Sequence, residues 1–108
     1  MADVNHFFGS YLPEKLTGKP ELSKEINACY QFDITVGEAT RQWSVDLRDG
    51  KSEVRDSATE GAGCVVSAKQ EDFEALLDNP GQAVMLFMQG KLKVTNVGLA
   101  MSLQKILS

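Results

Sequence analysis

The side chains able to do chemistry are few and do not converge. His6 is the only histidine, and Cys29 and Cys64 are the only cysteines. Their spacing matches no zinc site. A Cys–His pair would have to be assembled by the fold, since no local motif makes one. The carboxylates are scattered along segments whose outer faces should be wet, so no pair is marked for acid–base work. Gly61-Ala62-Gly63 lacks the third glycine and the preceding strand of a dinucleotide loop, and Gly90-Lys91 is followed by Leu92 rather than the Ser or Thr of a phosphate loop. These residues call for no cofactor, no metal and no catalytic role. They favour a binding protein over an enzyme.

The remaining distinctive chemistry is apolar. The longest apolar run, Ala83-Val84-Met85-Leu86-Phe87-Met88, is followed by Gln89 and then by Met101. Methionine is flexible and polarizable, and it suits surfaces that accept varied apolar shapes. On a helix at 100° per residue, Leu99, Ala100, Leu103, Ile106 and Leu107 fall within a stripe about 120° wide, enough to bury one face. Val97 and Met101 lie off that stripe and four residues apart, forming a second ridge. That ridge either packs on another helix or lines an internal space. Met85, Phe87 and Met88 nearby favour the second reading.

The elements that must position these residues change period along the chain. Val4, Phe7, Phe8, Tyr11 and Leu12 have helical spacing, with Asp3 able to cap them, and Pro13 and Gly18 interrupt the pattern. Pro20 suits the first turn of a second helix carrying Leu22 and Ile26. From Tyr30 the period becomes two. Gln31–Val36 and Gln42–Arg48 alternate as half-buried strands, joined by a hairpin over 37–40. Asp49-Gly50 is a turn, and Ser52–Asp56 reads as a charged edge strand. Cys64–Ala68 reads as a central strand. Phe73, Leu76 and Leu77 mark a helix that Asp78-Asn79-Pro80-Gly81 ends. Gln82–Met88 reads as a buried helical turn or two. Lys91–Thr95 makes a fifth strand, reached from the fourth by a helical crossover. Thr95 or Asn96 caps the final helix. The fold class is therefore α+β, a five-stranded mixed sheet with helices covering one face.

The 108 residues suit one domain, 1–108, with a core that needs no staples. The net charge of −4 excludes the basic footprint of a nucleic-acid binder. The charge is uneven: residues 89–108 hold Lys91, Lys93 and Lys105 and no acid, so eight bases face fifteen acids in 1–88. Such a local basic face can meet an anionic partner. No apolar run is long enough to span a bilayer, and no basic stretch precedes an apolar one at the N-terminus. A cytoplasmic protein with two free, buried thiols is expected.

Phe87-Met88-Gln89-Gly90-Lys91-Leu92-Lys93-Val94-Thr95, followed by Gly98-Leu99-Ala100-Met101-Ser102-Leu103-Gln104-Lys105-Ile106-Leu107, resembles the C-terminal signature of the sterol carrier protein type 2 domain family. Tyr30–Ile34, Trp43–Leu47 with Asp49-Gly50-Lys51, and Asp72-Phe73 with Ala75-Leu76 resemble other parts of it in order, over roughly residues 12–108. Thr95 runs directly into Asn96, one residue shorter than the family pattern. The resemblance implies a sheet and helices enclosing a hydrophobic tunnel for a lipid: a fatty acid, fatty acyl-CoA, sterol or similar molecule. It implies a non-catalytic lipid-binding or lipid-transfer protein. Trp43, Met85, Phe87, Met88, Gln89, Val97 and Met101 are the expected lipid-binding residues, with Gln89 at the polar part of the ligand. Lys91, Lys93 and Lys105 would make transient contact with a membrane surface. The alternative is a protein–protein interaction domain whose apolar interior is simply a filled core. Copurified lipid separates the two.

Overall fold

A computed structural model describes residues 3–50 and 52–107, with side chains for all of these except 50, 80 and 103–107. The chain opens with α1 (Val4–His6), whose first turn is capped by the Asp3 carboxylate accepting from Asn5 N at 2.8 Å and His6 N at 3.2 Å. It does not stop at Pro13. A π-helical turn (Phe7–Tyr11) carries it into α2 (Leu12–Gly18). The wider turn places Pro13 at the start of a fresh α-helical segment, where its missing N–H costs nothing. Pro20 opens α3 (Pro20–Ile26).

Five strands follow: β1 (Cys29–Val36), β2 (Ala39–Asp46), β3 (Glu53–Arg55), β4 (Cys64–Lys69) and β5 (Leu92–Val94). Their order across the sheet is β3-β2-β1-β4-β5. The β1–β2 hairpin pairs through Val36 and Ala39, so its loop is Gly37-Glu38, two residues shorter than the spacing suggested. Gly37 supplies the positive φ, +64°, that such a tight loop demands. The sheet is mixed because β1 and β4 run parallel while the other pairs are antiparallel. The crossover is therefore corrected. The parallel step is β1 to β4, across the β2–β3 meander, and the helical segment after β4 returns the chain antiparallel to β4 at the sheet edge.

One sheet face carries the core. Tyr30, Phe32 and Ile34 of β1 are fully buried and sit beside Val45 and Trp43 of β2 and Cys64, Val66 and Ala68 of β4. The opposite face carries Gln31, Asp33 and Gln42, with Asp33 accepting from both amides at 2.9 and 3.2 Å. Helices pack on the core face. Phe8 stacks on Trp43 at 4.7 Å and on Phe73 at 5.8 Å, and Phe73 meets Phe32 edge-on at 5.7 Å. Phe73 belongs to α4 (Gln70–Asp78), and Glu74 of the same helix accepts from Val4 N at 3.0 Å. That bond ties the start of α1 to α4. Cys29 and Cys64 are both free and buried. Because Tyr30 pairs with Cys64, Cys29 points to the opposite sheet face from Cys64.

After α4, a 3₁₀ turn (Pro80–Gln82) leads to α5 (Ala83–Met88). Here the expectation of a buried helix fails. Leu86 is buried, but Val84, Met85, Phe87 and Met88 are exposed, Met88 to 80%. A helix of six residues apolar on every side can turn only part of its surface inward, here Leu86 and part of Ala83, and among the described residues its outer side stays exposed. Helix α6 (Val97–Leu107) begins at an Asn96 cap, whose Oδ1 accepts from Leu99 N at 3.1 Å. Leu99 and Ala100 are half-buried, as their stripe requires. Leu103, Ile106 and Leu107 of that stripe have side chains outside the described residues.

Candidate functional site

Between the β4–β5 end of the sheet and helices α4, α5 and α6 lies an apolar cavity of about 370 Å³. Its floor is the sheet. Val66 pairs with Val94, and Ala68 pairs with Leu92, which places Val66, Val94 and Leu92 on the core face. Phe73 and Leu76 of α4 form the inner wall. Ala83, Val84, Phe87 and Met88 of α5 form one side, and Val97, Ala100 and Met101 of α6 the other. Every described lining side chain is a hydrocarbon or a thioether. Such a wall offers no directional partner, so it selects by size and shape and not by polar chemistry.

The walls are held apart by polar links set back from the cavity. The Tyr30 hydroxyl donates to the Leu99 carbonyl at 2.8 Å, pinning α6 to the centre of the sheet. Burial, and then the neighbouring Cys64, push the Tyr30 phenol up to about 12, against an opposing hydroxyl bond from Ser102. Burial likewise pushes the Cys64 thiol up, and its Sγ donates to the Asn96 carbonyl at 3.5 Å. The Thr95 hydroxyl accepts from Val65 N at 2.9 Å. A side chain at Gly63 would stand 2.9 Å from Leu99 Cδ1, so glycine permits the chain to approach α6 there. Both shifts favour the uncharged forms, in which the Tyr30 hydroxyl and the Cys64 thiol keep their hydrogen bonds to the start of α6.

The expected site residues divide into two groups. Phe87, Met88, Val97 and Met101 come together around the cavity, Met88 and Met101 at its exposed rim. Trp43, Met85 and Gln89 are absent from the described lining. Trp43 is 4% exposed, stacked on Phe8, with the Arg41 guanidinium 4.4 Å from its ring centroid, so its position is corrected to the core beneath the π-helical turn. Met85 is exposed on α5 and off the cavity, because six residues of helix cannot turn every side chain inward. Gln89 ends α5, exposed, with its backbone N–H donating to the Met85 carbonyl at 3.0 Å. Lys91 precedes β5 and Lys93 lies on it, both exposed, whereas the Lys105 side chain lies outside the described residues. Val66, Leu76, Leu92 and Val94 were not anticipated as lining. The alternation Leu92-Lys93-Val94 signals a shared face, but only the pairing with β4 shows which cavity that face closes.

Among the described residues, no group of three or more His, Cys, Asp or Glu side chains could hold a metal ion, and no helix is long and apolar enough to cross a membrane.

The sheet is capped on one face by helices, with a cleft at its end whose described lining is apolar throughout. Residues 8–108 match the SCP-2 sterol transfer family, and the chain belongs to that family. It is 35% identical to human sterol carrier protein 2 over 86 residues, a match covering 77% of this chain and 16% of the human protein. The chain thus spans only about a sixth of that relative. It is 26% identical over 98 residues to the non-specific lipid-transfer protein-like 1 of Caenorhabditis elegans, covering 89% of this chain and 83% of the worm protein. The structure of apo sterol carrier protein 2 from Yarrowia lipolytica superposes with a TM-score of 0.75 at 29% identity, covering 88% of this chain and 77% of the yeast chain.

Proposed function

We propose that residues 1–108 form one non-catalytic lipid-binding and lipid-transfer domain. Its cargo is a fatty acid, fatty acyl-CoA, sterol or similar lipid. The observation that carries this reading is the cavity of about 370 Å³ with a lining free of polar side chains among the described residues. That volume lies within the range of small-molecule sites, roughly 300–1,000 Å³. The wider tunnel of the family resemblance would begin at this cleft. Membership of a sterol transfer family and the name of the worm relative support the same reading. Phe87, Met88, Val97 and Met101 contact the alkyl part of the cargo. Lys91 and Lys93, and Lys105 with them, steer the domain toward an anionic membrane surface in the cytoplasm.

Transfer between this cleft and a bilayer is near balance, because both remove the same hydrocarbon from water, at about 0.8 kcal/mol per methylene. Affinity from aqueous solution should therefore follow chain length. Displacement of a fluorescent fatty acid by saturated acids of increasing length is expected to tighten about fourfold per added methylene until the cavity is full. Methyl esters should follow nearly the same series, since no described polar side chain lines the cavity to hold a carboxylate. Affinities independent of chain length would contradict the proposal.

A further inference from the structure

Sulfur in this protein is sorted by exposure. Among the described residues, Cys29 and Cys64 are buried, whereas Met85, Met88 and Met101 are each more than half exposed. Burial also pushes the Cys64 thiol up, away from the thiolate that reacts with oxidants. A thioether has no proton to lose, so its sulfur lone pairs stand ready at any pH. Oxidants arriving from water therefore meet the methionines before the cysteines. Two of the three methionines have a second property. Met88 of α5 and Met101 of α6 stand on opposite sides of the cleft, and they are the only described lining side chains that are not hydrocarbon. Leucine fills nearly the same volume as methionine without this reactivity. Met85 is exposed to the same solvent but lies off the described lining.

We infer that Met88 and Met101 form a modification site for hydroperoxides, and that their conversion to methionine sulfoxide closes the cleft to cargo. With hydrogen peroxide, a thioether lone pair attacks one oxygen, and the S–O bond forms as the O–O bond breaks. The proton on the transferred oxygen passes to the departing hydroxide, giving water. Sulfur is oxidised by two electrons and the peroxide is reduced by two. The sulfoxide oxygen is a hydrogen-bond acceptor set in a wall whose described side chains offer no donor. Left wet, it keeps water where hydrocarbon must lie; covered by an alkyl chain, it is left without a partner. In the free protein both side chains are exposed, so their sulfoxides stay hydrated and the fold keeps its stability. Methionine sulfoxide reductases, one for each epimer, reverse the step. This inference rests on the lipid-binding reading and adds a control to it: cargo is held while the two thioethers are reduced.

The test uses wild type, Met85→Leu, and a protein carrying both Met88→Leu and Met101→Leu. Each is treated with hydrogen peroxide, its sulfoxides are located by peptide mass spectrometry, and its palmitate affinity is compared with that of the same protein untreated. Wild type and Met85→Leu are expected to lose affinity about tenfold or more on treatment. The doubly substituted protein should change less than twofold, whatever its own starting affinity. Circular dichroism should be unaltered, and incubation with both reductases should restore wild-type binding. Treated wild type that carries both sulfoxides and still binds palmitate as before overturns the inference and leaves the cargo reading intact. So does an equal loss in the doubly substituted protein, a loss of folded structure on treatment, or a failure of Met88 and Met101 to oxidise when free methionine does. Untreated, folded wild type that takes up no palmitate removes the cargo reading, and this inference with it.

Discussion

Replacing Met101 by aspartate is expected to weaken palmitate binding by about 100-fold, roughly 2.7 kcal/mol. Met101 stands at the rim of the cleft, 68% exposed, and contributes to its lining. A carboxylate there either keeps its water, and so wets the mouth that must hold hydrocarbon, or loses it at a cost of several kcal/mol. Because the side chain is exposed in the free protein, the same change should move the urea midpoint by no more than a surface substitution does, about 0.5 kcal/mol. Met101→Leu keeps the apolar rim and should bind palmitate within a few-fold of wild type. Undiminished affinity in a folded Met101→Asp protein would place the alkyl chain elsewhere.

Phe73→Ala should act in the opposite way, on folding first. Phe73 is fully buried and its ring meets Phe7, Phe8 and Phe32 at 6.0, 5.8 and 5.7 Å, while its remaining surface contributes to the cleft. Truncation removes a large buried side chain and leaves a void that rings fixed on separate elements cannot close. The expected loss is about 3–5 kcal/mol, a large part of the 5–15 kcal/mol typical of a whole domain. Urea denaturation followed by Trp43 fluorescence measures it directly, since Trp43 stacks on Phe8 within the same cluster. A loss below about 1 kcal/mol would mean that the aromatic cluster is not the keystone joining the π-helical turn, α4 and the sheet.

The parts of this fold that follow local rules were legible before any coordinates. Alternation from Gln31 to Val36 and from Gln42 to Arg48 identified strands, and Asp3, Pro20 and Asn96 marked helix starts that the structure uses. Of the residues singled out in the C-terminal run, Phe87, Met88, Val97 and Met101 meet around one cavity, whereas Met85 and Gln89 do not. What was not legible depends on partners remote in sequence. Trp43 looks like any aromatic on a half-buried strand until Phe8 arrives from the π-helical turn to stack on it. Pro13 reads as a helix end unless the π-helical turn before it is known. The parallel pairing of β1 with β4 decides that Val66 and Val94 share a floor, and no local pattern encodes it. The exposure of α5 was hidden for a related reason. An apolar run states that water is disfavoured, but not whether protein or some other phase is to replace it.

Native mass spectrometry of the protein purified without detergent tests the central claim most directly. The account predicts masses above that of the 108-residue chain by one acyl lipid, collapsing to the bare chain on activation, and stoichiometric uptake when the delipidated protein is given palmitate. A bare mass before and after incubation with palmitate and with a sterol, in protein shown by circular dichroism to be folded, would contradict it.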